Sequence, residues 1–146
     1  MQLLFKNAYV VDVHSPYHLQ TVDILVEGSQ ITSIGDLPEM DCPSVDLEGA
    51  TLTTGFAELH SDLGEPGNEE CETLETGAAA AASGGFTAVG VVSNGTPGID
   101  NKTGIEFILS KGESTAINLV PVGSASKSSA GEEMSDMFDM YQHGTI

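Results

Sequence analysis

Short runs of β-branched and aliphatic residues, separated by turn residues, fill the first third of the chain. Leu3-Leu4-Phe5, Tyr9-Val10-Val11, Val22 to Val26 and Ile31 to Ile34 are four such runs, each of strand length and composition. Glu27-Gly28-Ser29-Gln30 joins the last two as a hairpin turn. Asp46 to Thr53 predicts a further strand pair broken at Glu48-Gly49. Residues 1–53 are therefore expected to form a small antiparallel β module of the sandwich type.

From residue 54 the period changes. Gly55 to His60 reads as a strand and Leu74 to Ala82 as a small-residue helix stopped by Gly84-Gly85. Phe86 to Val92 is a continuous apolar strand of the kind buried on both faces. Asn101 to Lys111 predicts a second helix and Ile117 to Val122 a third strand. Glu132 to Gln142 predicts a third helix, opened by a capping box of Ser129 with Glu132 and closed by Gly144. Alternating strands and helices imply parallel βαβ units, about three of them across residues 54–146. A closed (β/α)8 barrel needs eight units and about 250 residues. Three parallel strands alone would leave a bare apolar edge, so the chain is expected to be part of a longer protein. The fold class expected is α/β: a partial barrel preceded by the β module.

Charge narrows the range of partners. Four lysines, no arginine and twenty-two acids give a net charge of −18 over 146 residues. Nucleic acid and anionic membrane surfaces both need clustered cations and are excluded on that ground. Such acidity suits a basic partner face or a saline habitat and carries no fold information. Cys42 and Cys71 are too few for a disulfide framework and read as free, reduced thiols. No run approaches the ~18 to 20 apolar residues of a membrane span. The start MQLLFKNAYVVDV lacks a basic region and a signal-type cleavage site. A cytoplasmic protein is expected.

The chemistry concentrates in Thr54 to Gly67, TGFAELHSDLGEPG. His60 and Asp62 are two apart, so on a strand they share a face. An imidazole and a carboxylate converging there form a candidate site for a divalent metal of the zinc type. The competing reading hydrogen-bonds His60 and lets Asp62 cap a turn, because two ligands fall short of the three a catalytic zinc requires. Asn94, in Ser93-Asn94-Gly95, is either a turn residue or a polar contact to a ring amide. The acids Glu65, Glu69, Glu70, Glu72 and Glu75 are expected on a solvated loop and helix start. Glu65-Pro66-Gly67 is read as backbone geometry. His14, His18 and His143 lack ligand partners at useful spacing, and Lys127 has no neighbouring base to activate it.

Three motifs carry a resemblance. TGFAELHSDLGEPG is similar to P-G-F-I-D-x-H-x-H-x-R-E-P-G. ETLETGAAAAASGGFT (Glu72 to Thr87) and SNGTPGID (Ser93 to Asp100) follow at matching spacing. Together they resemble the N-terminal third of a dihydroorotase of the multifunctional-complex type, in the amidohydrolase superfamily. The resemblance implies zinc held at His60 and, in place of a second histidine, at Asp62, with Asn94 as a substrate contact. Gly64 stands where that family places an arginine resembling a clamp for the substrate carboxylate. The implied activity is hydrolysis of a cyclic amide, the dihydroorotate and carbamoyl-aspartate step of pyrimidine biosynthesis, on a small-molecule pyrimidine precursor. With a metal ligand and the arginine both replaced, this chain is expected to be inactive on dihydroorotate. The alternatives are a non-catalytic scaffold that partners aspartate carbamoyltransferase or forms a homo-oligomer, and a hydrolase of a different cyclic amide without a free carboxylate.

Overall fold

The apolar positions of the first run, Leu4, Ala8 and Val10, are buried on one strand, β1 (Gln2–Val10). The computed structural model describes residues 1–92 and 97–146, which divide into two units, Met1–Thr54 and Gly55–Ile146. In the first unit β1 pairs antiparallel with β2 (Thr21–Glu27), and β2 pairs antiparallel with β3 (Gln30–Gly35). The hairpin between them turns at Gly28, whose φ of +63° favours glycine. Ala8, Val10, Val22 and Ile24 form the small core of this unit.

The rest of the module differs from expectation. Residues 46–53 do not form an antiparallel pair. Instead β4 (Ser44–Asp46) and β5 (Thr51–Leu52) each pair parallel with β1. The sheet is therefore mixed. Both strands lie along β1, opposite Leu4–Lys6 and Tyr9–Val10 respectively. The break between them does fall at Glu48-Gly49, two successive residues with positive φ (+51° and +82°). Asp46 pins that break: one carboxylate oxygen accepts from Asn7 Nδ2 at 2.8 Å and from the Glu48 amide at 2.9 Å. The Asn7 contact, and then the Glu48 amide, hold its carboxyl below the usual range.

The second unit alternates as the sequence predicts. Strands β6 (Phe56–Asp62), β7 (Phe86–Val92) and β8 (Asn118–Pro121) form a parallel sheet in the order β6-β7-β8. Helices α1 (Leu74–Ser83) and α2 (Lys102–Gly112) connect them. Thr73 and Thr76 make a reciprocal capping box for α1, and the Asn101 carboxamide accepts from Thr103 and Gly104 to start α2. Leu63, Leu74, Val89, Val91, Ile105, Ile108 and Leu119 are among the residues buried between sheet and helices.

The third helix is shorter than predicted: α3 spans Met137–Gln142. Residues 130–135 are held as a loop instead. The Lys127 amide donates to the Glu133 carbonyl at 2.8 Å, the Ser135 amide donates to Ala125 at 3.2 Å, and Ser126 bridges Met134. The expected Ser129–Glu132 box does not open the helix. The Ser129 hydroxyl lies 3.1 Å from that of Ser124, and Asp136 caps α3 through the Asp139 amide. Lys127 is bonded to Glu133, which raises its pKa above the ordinary lysine value. No helix among the described residues is long and apolar enough to cross a membrane.

Candidate functional site

The register of β6 against β7 shifts between Phe56 and Ala57 and again between Glu58 and Ser61, and the second shift lies at the site. Glu58 lies opposite Val89 and Ser61 opposite Val91, so Leu59 and His60 together face Gly90. That is a β-bulge, and its cause is in the sequence. A Cβ on Gly90 would sit 2.5 Å from the Leu59 carbonyl oxygen and 2.8 Å from its carbon. Only glycine lets the bulged backbone come this close. A bulge costs ladder hydrogen bonds. Here the Glu58 carboxylate makes good part of that loss, accepting from the Leu59 amide at 2.9 Å and the His60 amide at 3.1 Å.

Past the bulge the strand resumes its alternation. Ser61 and Leu63 line a small cavity with Ala81 and Phe86 on the helix side of the sheet, and Leu63 is buried in the core there. His60 and Asp62 therefore lie on the opposite face, and both are exposed. The expectation that this pair shares a face thus survives the bulge, and it sits at the carboxyl end of β6. An Asp62 oxygen accepts the Gly64 amide at 3.1 Å, so the carboxylate also shapes the turn that follows. Among the described residues no group of three or more His, Cys, Asp or Glu side chains is placed to hold a metal ion. One imidazole and one carboxylate do not satisfy a catalytic zinc, which takes three protein ligands.

The turn leads into a closed loop. The Asn68 amide donates to the Gly64 carbonyl at 2.6 Å, and the Cys71 and Glu72 amides donate to the Asn68 carbonyl at 3.0 and 3.5 Å. Leu63 anchors its near end against Gly77 of α1, where a Cβ would meet the leucine methyls at 2.8 and 3.2 Å.

Glu65 anchors it from inside. It is not solvated as expected but only 7% exposed. One oxygen accepts the Leu74 amide at 2.8 Å, satisfying a donor in the first turn of α1. The other meets Lys111 Nζ at 3.1 Å, and that ammonium also lies 5.6 Å from the Phe107 ring centre. Glu65 thus ties the strand-end loop to both helices.

Glu69 holds the loop's apex by accepting the Gly67 amide at 3.0 Å. That bond, followed by the one from its own amide, lowers its pKa below the ordinary glutamate value. A lowered folded pKa stabilises above the unfolded value and is lost as pH falls through the folded one. Hydrogen exchange at Gly67 is therefore expected to accelerate in acid beyond its intrinsic pH dependence, and Glu69→Gln is expected to abolish that excess.

Asn94 lies outside the described residues. His18 is half-buried with its Nδ1 lacking a partner among the described residues, while His143 lies 3.6 Å from both Glu106 and Asp139. Among the described residues His143 does not join the β6 rim residues into a group of three or more possible ligands. Sequence reasoning missed Glu58, Glu65 and Gly90 as determinants of the site. Gly90 did leave a signal, a single glycine within the apolar run Phe86–Val92.

The fold of this chain is similar to that of solved hydrolases. Dihydropyrimidinase from Brevibacillus agri NCHU1002 is similar with a TM-score of 0.69 and 25% identity, covering 86% of this chain and 28% of its own. L-hydantoinase (dihydropyrimidinase) from Arthrobacter aurescens reaches 0.67 at 17% identity, covering 85% and 28%. The fold is that of an α/β protein, and with the family match that follows it places the chain in the amidohydrolase superfamily. Residues 49–146 match the family model described as dihydro-orotase-like, and the chain belongs to that family. Dihydroorotases of Ruminiclostridium cellulolyticum and Syntrophotalea carbinolica are 34% and 35% identical across all of this chain. The chain spans about a third of their length, 34% and 35%.

Proposed function

We propose that residues 54–146 supply the first three βα units of a (β/α)8 hydrolase acting on cyclic amide C–N bonds, and residues 1–53 its accessory β module. The reading makes the protein a cytoplasmic dihydroorotase homologue of pyrimidine biosynthesis, with a small-molecule pyrimidine precursor as its substrate class. The observation that carries it is the position of His60 and Asp62. They project from the carboxyl end of β6 on the face away from the helices, the end at which barrel enzymes assemble their sites. Asn94, in the segment after β7, is assigned to substrate binding.

The donor set limits the chemistry. His60 and Asp62 do not complete a zinc site by themselves, so this chain alone is expected not to hydrolyse dihydroorotate. Its own contribution is to fix an imidazole and a carboxylate at the rim through the bulge and through the Asp62–Gly64 hydrogen bond. The same incomplete set favours a second reading, a non-catalytic scaffold that associates with aspartate carbamoyltransferase or with itself.

Metal analysis of the full-length protein, paired with a dihydroorotate assay, separates these readings. Two equivalents of zinc with turnover would remove the scaffold. A metal-free, inactive protein that co-purifies with a carbamoyltransferase would remove the enzyme. For residues 1–146 alone the expected rate is background, and a measurable excess would overturn that expectation.

A further inference from the structure

Residues 124–135, the segment after β8, are folded back on themselves chiefly by hydrogen bonds. Every residue from Lys127 to Met134 is exposed. Buried Ser135 anchors the far end by donating its hydroxyl to the Ser124 carbonyl. The Ser124 hydroxyl donates to the Ser126 carbonyl at 2.7 Å, and the Ser126 hydroxyl accepts the Gly131 amide at 2.9 Å. A segment held this way, with little apolar burial, belongs to the part of a fold that opens most readily.

Its turn is strained. Ser128 and Ser129 follow one another with φ of +51° and +56°, the left-handed region that costs a side chain free energy and that glycine enters freely. Two such residues in succession persist only where something outside the turn holds them. Here the outside partner is Asp100, on the segment after β7. One of its oxygens accepts the Ser128 amide at 2.8 Å. The other accepts the Asn101 side-chain amide at 2.7 Å, and the Asn101 oxygen in turn caps α2. Alongside, the Ser124 amide donates to the Ile99 carbonyl at 2.7 Å. The segment is thus strapped across the carboxyl ends of β7 and β8, the same end of the sheet that carries His60 and Asp62 on β6.

We propose that residues 124–135 form a sprung strap, latched by Asp100, that opens independently of the sheet and of α2. While the latch is made, the bond to the carboxylate outweighs the strain of the turn and the strap stays closed. When it breaks, Ser128 and Ser129 relax out of the left-handed region and the exposed residues swing away. Leu119 of β8 and Ile105 and Ile108 of α2 are buried in the core and stay in place. The device is separate from whatever the rim binds.

Lys127 makes the state of the strap readable, because trypsin can cut after it only when the turn is open. In the full-length protein, cleavage of the Lys127–Ser128 bond is followed by mass spectrometry, with the Lys111–Gly112 bond of α2 as reference. The rate tracks the open population where closing outpaces cleavage. Asp100→Ala removes a charge-assisted acceptor. It is expected to speed cleavage after Lys127 at least tenfold and to leave that after Lys111 within twofold. A smaller change after Lys127, or equal acceleration at both bonds, would overturn the strap. The second arm keeps Asp100 and varies the turn. Ser128→Gly is expected to slow cleavage at least twofold and Ser128→Val to speed it, since a β-branched residue tolerates the left-handed region least. Any other order would mean that the turn stores no strain and would equally overturn the proposal. Should Asp100→Ala not fold, the Ser128 series decides alone.

Discussion

Gly90→Ala is expected to destabilise the parallel-sheet unit by about 3 kcal/mol, the upper part of the usual range for overpacking a tight interior. The added methyl would meet backbone, the Leu59 carbonyl at 2.5 Å, and not a flexible side chain that could rotate away. Gly90 is buried on the central strand with β6 and β8 on either side, so β7 cannot retreat without disturbing both ladders. The cheapest relaxation is to push the bulge off Gly90, which displaces Leu59 and His60. Two readouts should therefore move together: the urea midpoint falls, and amide exchange at residues 59 and 60 rises. A loss below about 1 kcal/mol with exchange unchanged would mean that the bulge has room to slide.

Glu65→Ala should rank second, at about 2 to 3 kcal/mol. Breaking a buried ion pair by removing one partner costs about 3 to 5 kcal/mol when both ends are desolvated. Here Lys111 is half exposed, so water recovers much of that term. The remainder comes from the Leu74 amide, whose acceptor is removed at a site where Leu74 is fully buried. An orphaned donor of that kind costs about 1 to 3 kcal/mol. Glu65→Gln keeps an acceptor for the amide and should recover at least half of the loss. Equal effects from alanine and glutamine would mean that the Lys111 charge, and not the helix donor, carries the interaction. Both variants are followed by urea unfolding of the same unit.

The period change at residue 54 made the parallel unit legible because each of its signals is local. Gly84-Gly85 stops α1, Asn101 starts α2, and Phe86–Val92 has the unbroken apolar character of a central strand. What stayed hidden depends on contacts distant in the chain. Glu65 looked like one of five solvated acids until Lys111, 46 positions later, came within 3.1 Å of it. The parallel pairing of β4 and β5 with β1 was equally out of reach, since a strand's residues say little about the direction of its partner. The third helix failed for a related reason. The helical pattern of residues 132–142 was outbid between 130 and 135 by backbone bonds to Ala125 and Lys127. At the site, the His60–Asp62 spacing placed both residues on one face despite a bulge that nothing in β6 itself announces. The bulge belongs to Gly90, thirty residues downstream.

The mixed sheet of the first unit has a consequence for how the chain matures. β1 precedes its partners along the chain, yet it is the strand on which β2, β4 and β5 all converge. Its antiparallel neighbour is available once residue 27 has been made. Its other neighbours arrive only with residues 44–52, so β1 must wait half-paired for roughly twice as long. Closure of longer chain segments is slower and leaves apolar strand surface open meanwhile. A nascent chain that has released β2 but not residues 44–52 would thus present one open edge of β1, whereas release of residue 52 supplies the partners of that edge.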